Sequence, residues 1–415
     1  MQTSLVPLRR NRDFVLLQAG QLLSAAGTHS SSIAYPLLVL ALTQSPAKAG
    51  IVGFARVVPY VIFGLLAGLA ADRWNRKRVM LTADAVQALA VGTLGALILL
   101  DALPFAVIPA IAFVEGTASV FFSIASSGAL RAVVPKPQLP AAAGVQQARL
   151  SVVRLIGPPL GGALFGIARA LPFVADAVSY VFSFVSLSAM RAPFQEERAL
   201  DTAPLRSQVA EGFRFLWQQP FLRTVALIFT ADNFIVTAVM FSVIVIARKQ
   251  GLSAGQVGAL VAVFGASQVA GALSSGFVRR RLGMRAILVG ELCTSVAIAA
   301  FLVWPSIYVL VAALVPQAFV MPISDSVLMA YRFAVTPDRL IGRVSSVTTN
   351  IGMLVMPLGP LAAGFLLDAY SARTTIALFA AGTVVLAVWA ALSPSMRNAP
   401  RFDELAEAPT ELSAD

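Results

Sequence analysis

Charge is scarce in this chain. Only 12% of its residues are Asp, Glu, Lys or Arg, against roughly 25% in a soluble domain. So few charges cannot cover a water-facing exterior, and lipid must cover most of this one. The single cysteine, Cys293, excludes an internal disulfide. The single histidine, His29, excludes a multi-histidine metal site and any H-E-x-x-H motif. No lysine follows a glycine, so there is no G-x-x-x-x-G-K-[ST] phosphate loop and no ATP hydrolysis through one. No nucleophile–base constellation stands out either. The chain is therefore read as a non-enzyme without cofactor or metal, and any substrate it moves must be driven by a gradient or by a separate subunit.

What is abundant is apolar sequence, at 58% of all residues. A helix needs ~20 apolar residues to cross ~30 Å of hydrocarbon. Twelve stretches qualify: 14–42, 49–71, 79–100, 104–130, 141–168, 172–190, 221–247, 255–278, 286–303, 307–331, 342–367 and 374–393. Run length selects helices over a barrel, whose strands would alternate over ~10 residues. The expected fold class is an all-α integral membrane protein with twelve transmembrane helices in two pseudo-symmetric six-helix halves. Residues 1–13 form a polar, basic N-tail, and the run after it is too long for a signal-peptide core. Residues 14–190 form the first half and 191–220 a linker with an amphipathic stretch over Gln208–Trp217. Residues 221–393 form the second half, and 394–415 an acidic tail expected to be disordered. Most of the 31 lysines and arginines fall in the segments that share a side with the N-tail. This bias places both termini in the cytoplasm of a bacterial inner-membrane protein. The net charge of +11 is spread over inner loops facing an anionic leaflet, with no basic patch suited to nucleic acid.

Two stretches recur about half a chain apart. Gly68–Lys77, with Asp72, Arg73 and Arg76, is echoed by Gly276–Arg285. Gly157-Pro158-Pro159-Leu160-Gly161-Gly162 is echoed by Gly359-Pro360-Leu361-Ala362-Ala363-Gly364. A duplicated set of membrane helices is the mark of a transporter built from two parallel halves. Closely spaced glycines such as Gly64 and Gly68 let helix backbones touch in lipid. Pro158, Pro159 and Pro360 break helix hydrogen bonds, which suits a hinge or a packing role.

Gly68, Asp72, Arg73, Arg76 and Lys77 resemble motif A of the major facilitator superfamily, with Asn75 where glycine is usual. The Gly157–Gly162 segment resembles the helix-five motif of antiporters. Asp176-Ala-Val-Ser179-Tyr180 and Glu211-Gly-Phe-Arg-Phe215 are similar to the enterobactin-exporter and macrolide-efflux group. The helix-four arginine of many drug antiporters is absent, since Ala112 occupies its position. The resemblance implies the major facilitator fold, alternating access and a cytoplasmic gate at motif A. In that gate Asp72 would face the helix N-terminus near Gly342, with Arg131 as a second partner.

Ionisable side chains within hydrocarbon are costly and so are functional candidates. Glu115 and Asp232 lie near the middle of spans four and seven and are the candidates for proton or substrate work. His29 titrates in a range apt for coupling. Arg149 and Arg154 are placed to pair with Glu115 or to hold an anionic substrate group, and Arg56 is a third intramembrane cation. Asp84 is placed to brace motif A, and Asp176 is read as shallow on the outer side. The expected activity is export of a small amphipathic molecule by proton antiport. The candidates are an antibiotic, a siderophore or a secondary metabolite, and the exporter is a functional monomer. Nutrient uptake by symport and a non-transporting receptor or assembly subunit of the same fold are the alternatives.

Overall fold

The computed structural model describes residues 7–192, 194 and 205–399. Among these every regular element is helical. The chain runs through α1 (Arg12–Thr43), α2 (Pro46–Arg73), α3 (Arg76–Leu99), α4 (Val107–Ser127), the short α5 (Ala129–Val133), α6 (Leu139–Ile167) and α7 (Leu171–Ser188). After the linker come α8 (Leu205–Gln218), α9 (Pro220–Lys249), α10 (Ala254–Arg281) and α11 (Met284–Ser295). A 3-10 stretch over Val296–Ala299 and the short α12 (Ala300–Val303) extend α11. Then follow α13 (Ile307–Val335), α14 (Asp338–Leu354), α15 (Leu358–Ala369), α16 (Ala372–Leu392) and the terminal turn α17 (Pro394–Arg397).

Eleven helical segments of the described residues are long and apolar enough to cross a bilayer. The twelfth span is α1, whose 32 residues reach about 48 Å at 1.5 Å per residue. It falls short in hydropathy because it carries Gln18, Gln21, Ser24, Thr28, His29 and Ser30–Ser32. Ser24, Ser30 and Ser31 are buried against neighbouring helices rather than lipid. The span limits expected from the apolar runs agree with these helices to within a few residues.

Caps set several ends. The Asn11 side chain accepts from Phe14 N at 3.1 Å, and its amide donates to Val133 O at 2.8 Å. Ser45 caps α2 ahead of Pro46 at the first helical position. Asn75 caps α3 by accepting from Arg78 N at 3.2 Å. This accounts for asparagine where motif A usually has glycine.

The chain divides into two units. One comprises residues 1–200 with 251–262, the other 201–250 with 263–415. In the first unit α1 packs on α6 and α7, α2 on α4, and α3 on α4 and α7. One apolar cluster, with Phe14, Met80, Ala125, Ala129, Leu187 and Phe194, ties the ends of these helices together. In the second unit α9 packs on α15 and α16, α11 on α13 and α16, and α8 on α14.

Glycine fixes several crossings. A Cβ on Gly161 would run into the Ser30 carbonyl of α1, and one on Gly157 into His29 Cβ. Within the first unit, a Cβ on Gly162 would strike the Ala254 carbonyl, and one on Gly258 would strike the carbonyl of Pro158. In the second unit Gly359 of α15 lies against Thr237 and the Phe234 carbonyl of α9. Gly364 is buried and Pro360 lies beside Gly359 in α15. The Gly-Pro elements thus sit where helices touch. The expectation that prolines interrupt both copies is corrected in part. α6 is one continuous helix through Pro158 and Pro159, while the break in the second copy falls at 355–357, ahead of Gly359. The expected backbone contact at Gly68 is also corrected, because a Cβ there meets nothing within 4 Å. The α2–α4 crossing is made instead at Gly116, which faces the Arg56 carbonyl.

Candidate functional site

Arg56 enters the first unit from α2, one turn before Pro59, and its guanidinium meets Glu115 of α4. The Nη2–Oε1 distance is 2.8 Å, and Arg56 Nε lies 3.3 Å from the same oxygen. Glu115 is 1% exposed. Its second oxygen accepts from Tyr35 Oη of α1 at 2.7 Å. Arg56 also donates to the Thr28 carbonyl at 3.3 Å and lies over the Tyr35 ring at 5.3 Å. Thr28 Oγ1 and Tyr180 Oη of α7 are 2.8 Å apart, and Tyr35 packs edge-on against Phe173. Four helices are joined by this knot of side chains. A buried carboxylate is tolerated only with a partner and satisfied lone pairs, and Glu115 has both.

Two placements differ from expectation. The partner of Glu115 is Arg56, whereas Arg149 donates to Gln21 of α1 and Arg154 is exposed. Helical phase decides this, because only Arg56 points from α2 across the Gly116 crossing. Asp176, read from sequence as shallow, is wholly buried. Ser179 Oγ lies 3.4 Å from its Oδ1, and it is within electrostatic reach of Glu115 and Arg56. Its position near the start of α7 suggested the surface, but α1 covers it closely at Gly27, whose Cβ would touch Asp176. That glycine, with Ser179 one turn from Asp176, was the available signal. Tyr35 and Tyr180 left none, since single tyrosines in apolar runs are ordinary.

His29 is part-exposed next to Gly157, within electrostatic reach of Arg56 and Arg154. The first unit therefore gathers Glu115, Arg56, Asp176, His29 and Arg154 in one neighbourhood, with Arg149 apart from them. At the motif A turn, Lys77 donates to Met190 O at 2.7 Å and to Ser188 O at 3.3 Å. Arg76 lies over Gly128, while Arg73 and Arg131 are exposed. The Asp72 side chain lies outside the described residues, and so do the contacts expected for it. Asp84 is buried, and it faces Ser183 of α7.

The second unit holds a different arrangement. Asp232 of α9 is 3% exposed, and its Oδ2 accepts from Gln317 of α13 at 3.3 Å. Glu291 of α11 is 2% exposed and within electrostatic reach of Asp232 and of Asp325. Ser324 faces Glu291, and Ser295 faces Asp232. Among the described residues no lysine or arginine forms an ion pair with Asp232 or Glu291. Two carboxyls are thus buried near each other in the second unit, Asp232 accepting from Gln317. Of these two acids the sequence singled out Asp232 alone as a candidate.

Comparison with known proteins agrees with this architecture. The family of transmembrane secretion effectors matches residues 2–413. The multidrug efflux pump Tap of Mycolicibacterium fortuitum is 26% identical over 92% of this chain and 96% of its own length. Macrolide efflux protein A of Streptococcus pyogenes is 23% identical, covering 94% and 97%. Among solved structures, a bacterial homologue of the human lysosomal transporter Spinster, crystallised inward-facing and unoccupied, superposes with a TM-score of 0.72 at 15% identity. The match covers 94% of this chain and 98% of that one.

Proposed function

Because the chain belongs to the transmembrane secretion effector family of major facilitator transporters, we propose that it exports a small amphipathic molecule in exchange for protons. It is a multi-pass cell-membrane transporter and not an enzyme. Relatives that are efflux pumps for drugs and macrolides favour an antibiotic-like or siderophore-like cargo and a contribution to antibiotic resistance. The observation that carries the coupling is Asp232, a carboxyl buried mid-span beside Gln317 and Glu291 with no cation among the described residues to hold it ionised. We assign Asp232 the coupling proton. Glu115 with Arg56 is the framework of the first unit, and His29 and Arg154 are its groups available to substrate. The turn from Gly68 to Lys77, with Arg131, acts as the gate. Both termini lie in the cytoplasm, and the functional unit is a monomer.

The test uses energised inverted membrane vesicles with a fluorescent reporter of internal acidity. Macrolides, siderophores and cationic dyes are added in turn. At least one compound should collapse the acid gradient with the intact protein and not with Asp232→Asn. Failure of every compound to do so, with folded protein present, would overturn proton antiport.

A further inference from the structure

The basic turn between α2 and α3 is split in its use. Lys77 is turned inward onto the backbone at the end of α7, and Arg76 lies over Gly128. Arg73 and Arg78 are exposed, and among the described residues neither guanidinium has a protein partner. Beside them opens a cavity of about 350 Å³ on the first unit, more than twice the ~150 Å³ that holds a benzene. Its walls come from three helices. α3 contributes Val79, Ala83 and Val86, which share one face by their spacing. α4 contributes Thr117 and Phe121, and Phe63 of α2 closes one end edge-on against Phe113. At the other end stands Trp74, 62% exposed and adjacent in sequence to Arg73. Thr82 also lines the cavity, and its hydroxyl donates to the Arg78 carbonyl at 2.9 Å. The end of the groove at Trp74 is therefore flanked in sequence by two exposed arginines, Arg73 and Arg78, and the interior is almost wholly apolar. Tryptophan is the residue of the membrane–water boundary, and arginine binds phosphate through a planar fork of donors.

We propose that this groove binds one anionic glycerophospholipid, with an acyl chain between α2, α3 and α4 and the phosphate against Arg73 and Arg78. Charge complementarity selects the occupant. A zwitterionic lipid supplies the same chain but brings a cation to two arginines, while an anionic headgroup neutralises them. The site lies within one unit and is independent of which compound is exported.

Trp74 reports on the groove directly. In a Trp217→Phe, Trp304→Phe, Trp389→Phe protein it is the sole tryptophan. The purified protein in detergent is titrated with phosphatidylglycerol or phosphatidylcholine brominated on the acyl chains. Phosphatidylglycerol should quench Trp74 at a several-fold lower mole fraction. Arg73→Gln with Arg78→Gln should equalise the two lipids, whereas Arg73→Lys with Arg78→Lys, which keeps the charge, should retain the preference. Ala83→Phe, which fills the groove, should raise the phosphatidylglycerol needed several-fold. Equal quenching by both lipids in the parent protein would overturn the proposal, as would a preference that survives the glutamine pair or a titration unmoved by Ala83→Phe. Equal quenching together with protection of Trp74 by a macrolide would assign the groove to an exported compound instead.

Discussion

Glu115 and Asp232 are both carboxyls buried in mid-span, yet they face different company. Glu115 is ion-paired to Arg56 and bonded to Tyr35, so removing its charge strands a buried guanidinium. Breaking such a pair costs about 3–5 kcal/mol, whereas replacing both partners by apolar groups is often neutral. Glu115→Gln should therefore lower the melting temperature in detergent sharply, and Arg56→Met with Glu115→Leu should recover most of it. Asp232→Asn keeps the shape and an acceptor for Gln317, so stability should move by no more than about 1 kcal/mol. Proton-driven export should be lost all the same. A melting curve and a transport assay on the same preparations separate the two roles, and equal loss of stability in both variants would contradict them. The partnership of Arg56 with Glu115 was not legible from sequence. Arg149 and Arg154 are nearer to Glu115 along the chain than Arg56 is, and only the packing of the helices distinguishes the three.

At the scale of elements, helix contact in lipid is set by where side chains are missing. Gly161 lies against the Ser30 carbonyl, while Gly68 faces open space. Gly161→Leu forces α6 away from α1, with an overpacking cost of about 1–3 kcal/mol or more, and should reduce the yield of monodisperse protein. Gly68→Ala should leave yield and melting unchanged. Caps follow the same local logic. Asn75→Ala removes the acceptor for Arg78 N and should destabilise by about 1 kcal/mol, whereas Asn75→Gly, the residue usual in motif A, costs only a few tenths. Thermal shift of the two variants side by side checks the difference. The helices themselves were legible because each needs an uninterrupted apolar run. The glycine contacts were not, because the spacing that allows a close approach does not name the helix that approaches.

At the scale of the whole molecule, the two copies have diverged in their buried charge. The first unit carries a satisfied ion pair with a second acid beside it, and the buried acids Asp232 and Glu291 of the second unit have no ion-pair partner among the described residues. That asymmetry supports the proposal that the first unit is framework and the second exchanges protons. The distribution of lysine and arginine predicts a topology at this scale as well. A fluorescent protein fused after Asp415 should fluoresce, and alkaline phosphatase fused after Asp101 should be active, because the proposed topology puts the first inside and the second outside. The opposite pattern at either fusion would invert the assigned orientation.

The sequence by itself determined the solvent, the secondary structure and the family. A chain with so little charge must be covered by lipid, and a lipid-covered backbone must satisfy its hydrogen bonds within helices. Twelve apolar runs then place the helices, and a duplicated glycine-rich motif marks their common origin. Only the tertiary structure decided which buried charges meet a partner of opposite sign and which do not. It paired Glu115 with Arg56, drew Asp176 under α1 and brought Glu291 towards Asp232. The reason is one of range. Hydropathy acts on each segment separately and can be summed along the chain. The state of a buried charge depends on the few ångströms around it, and residues far apart in sequence supply those neighbours.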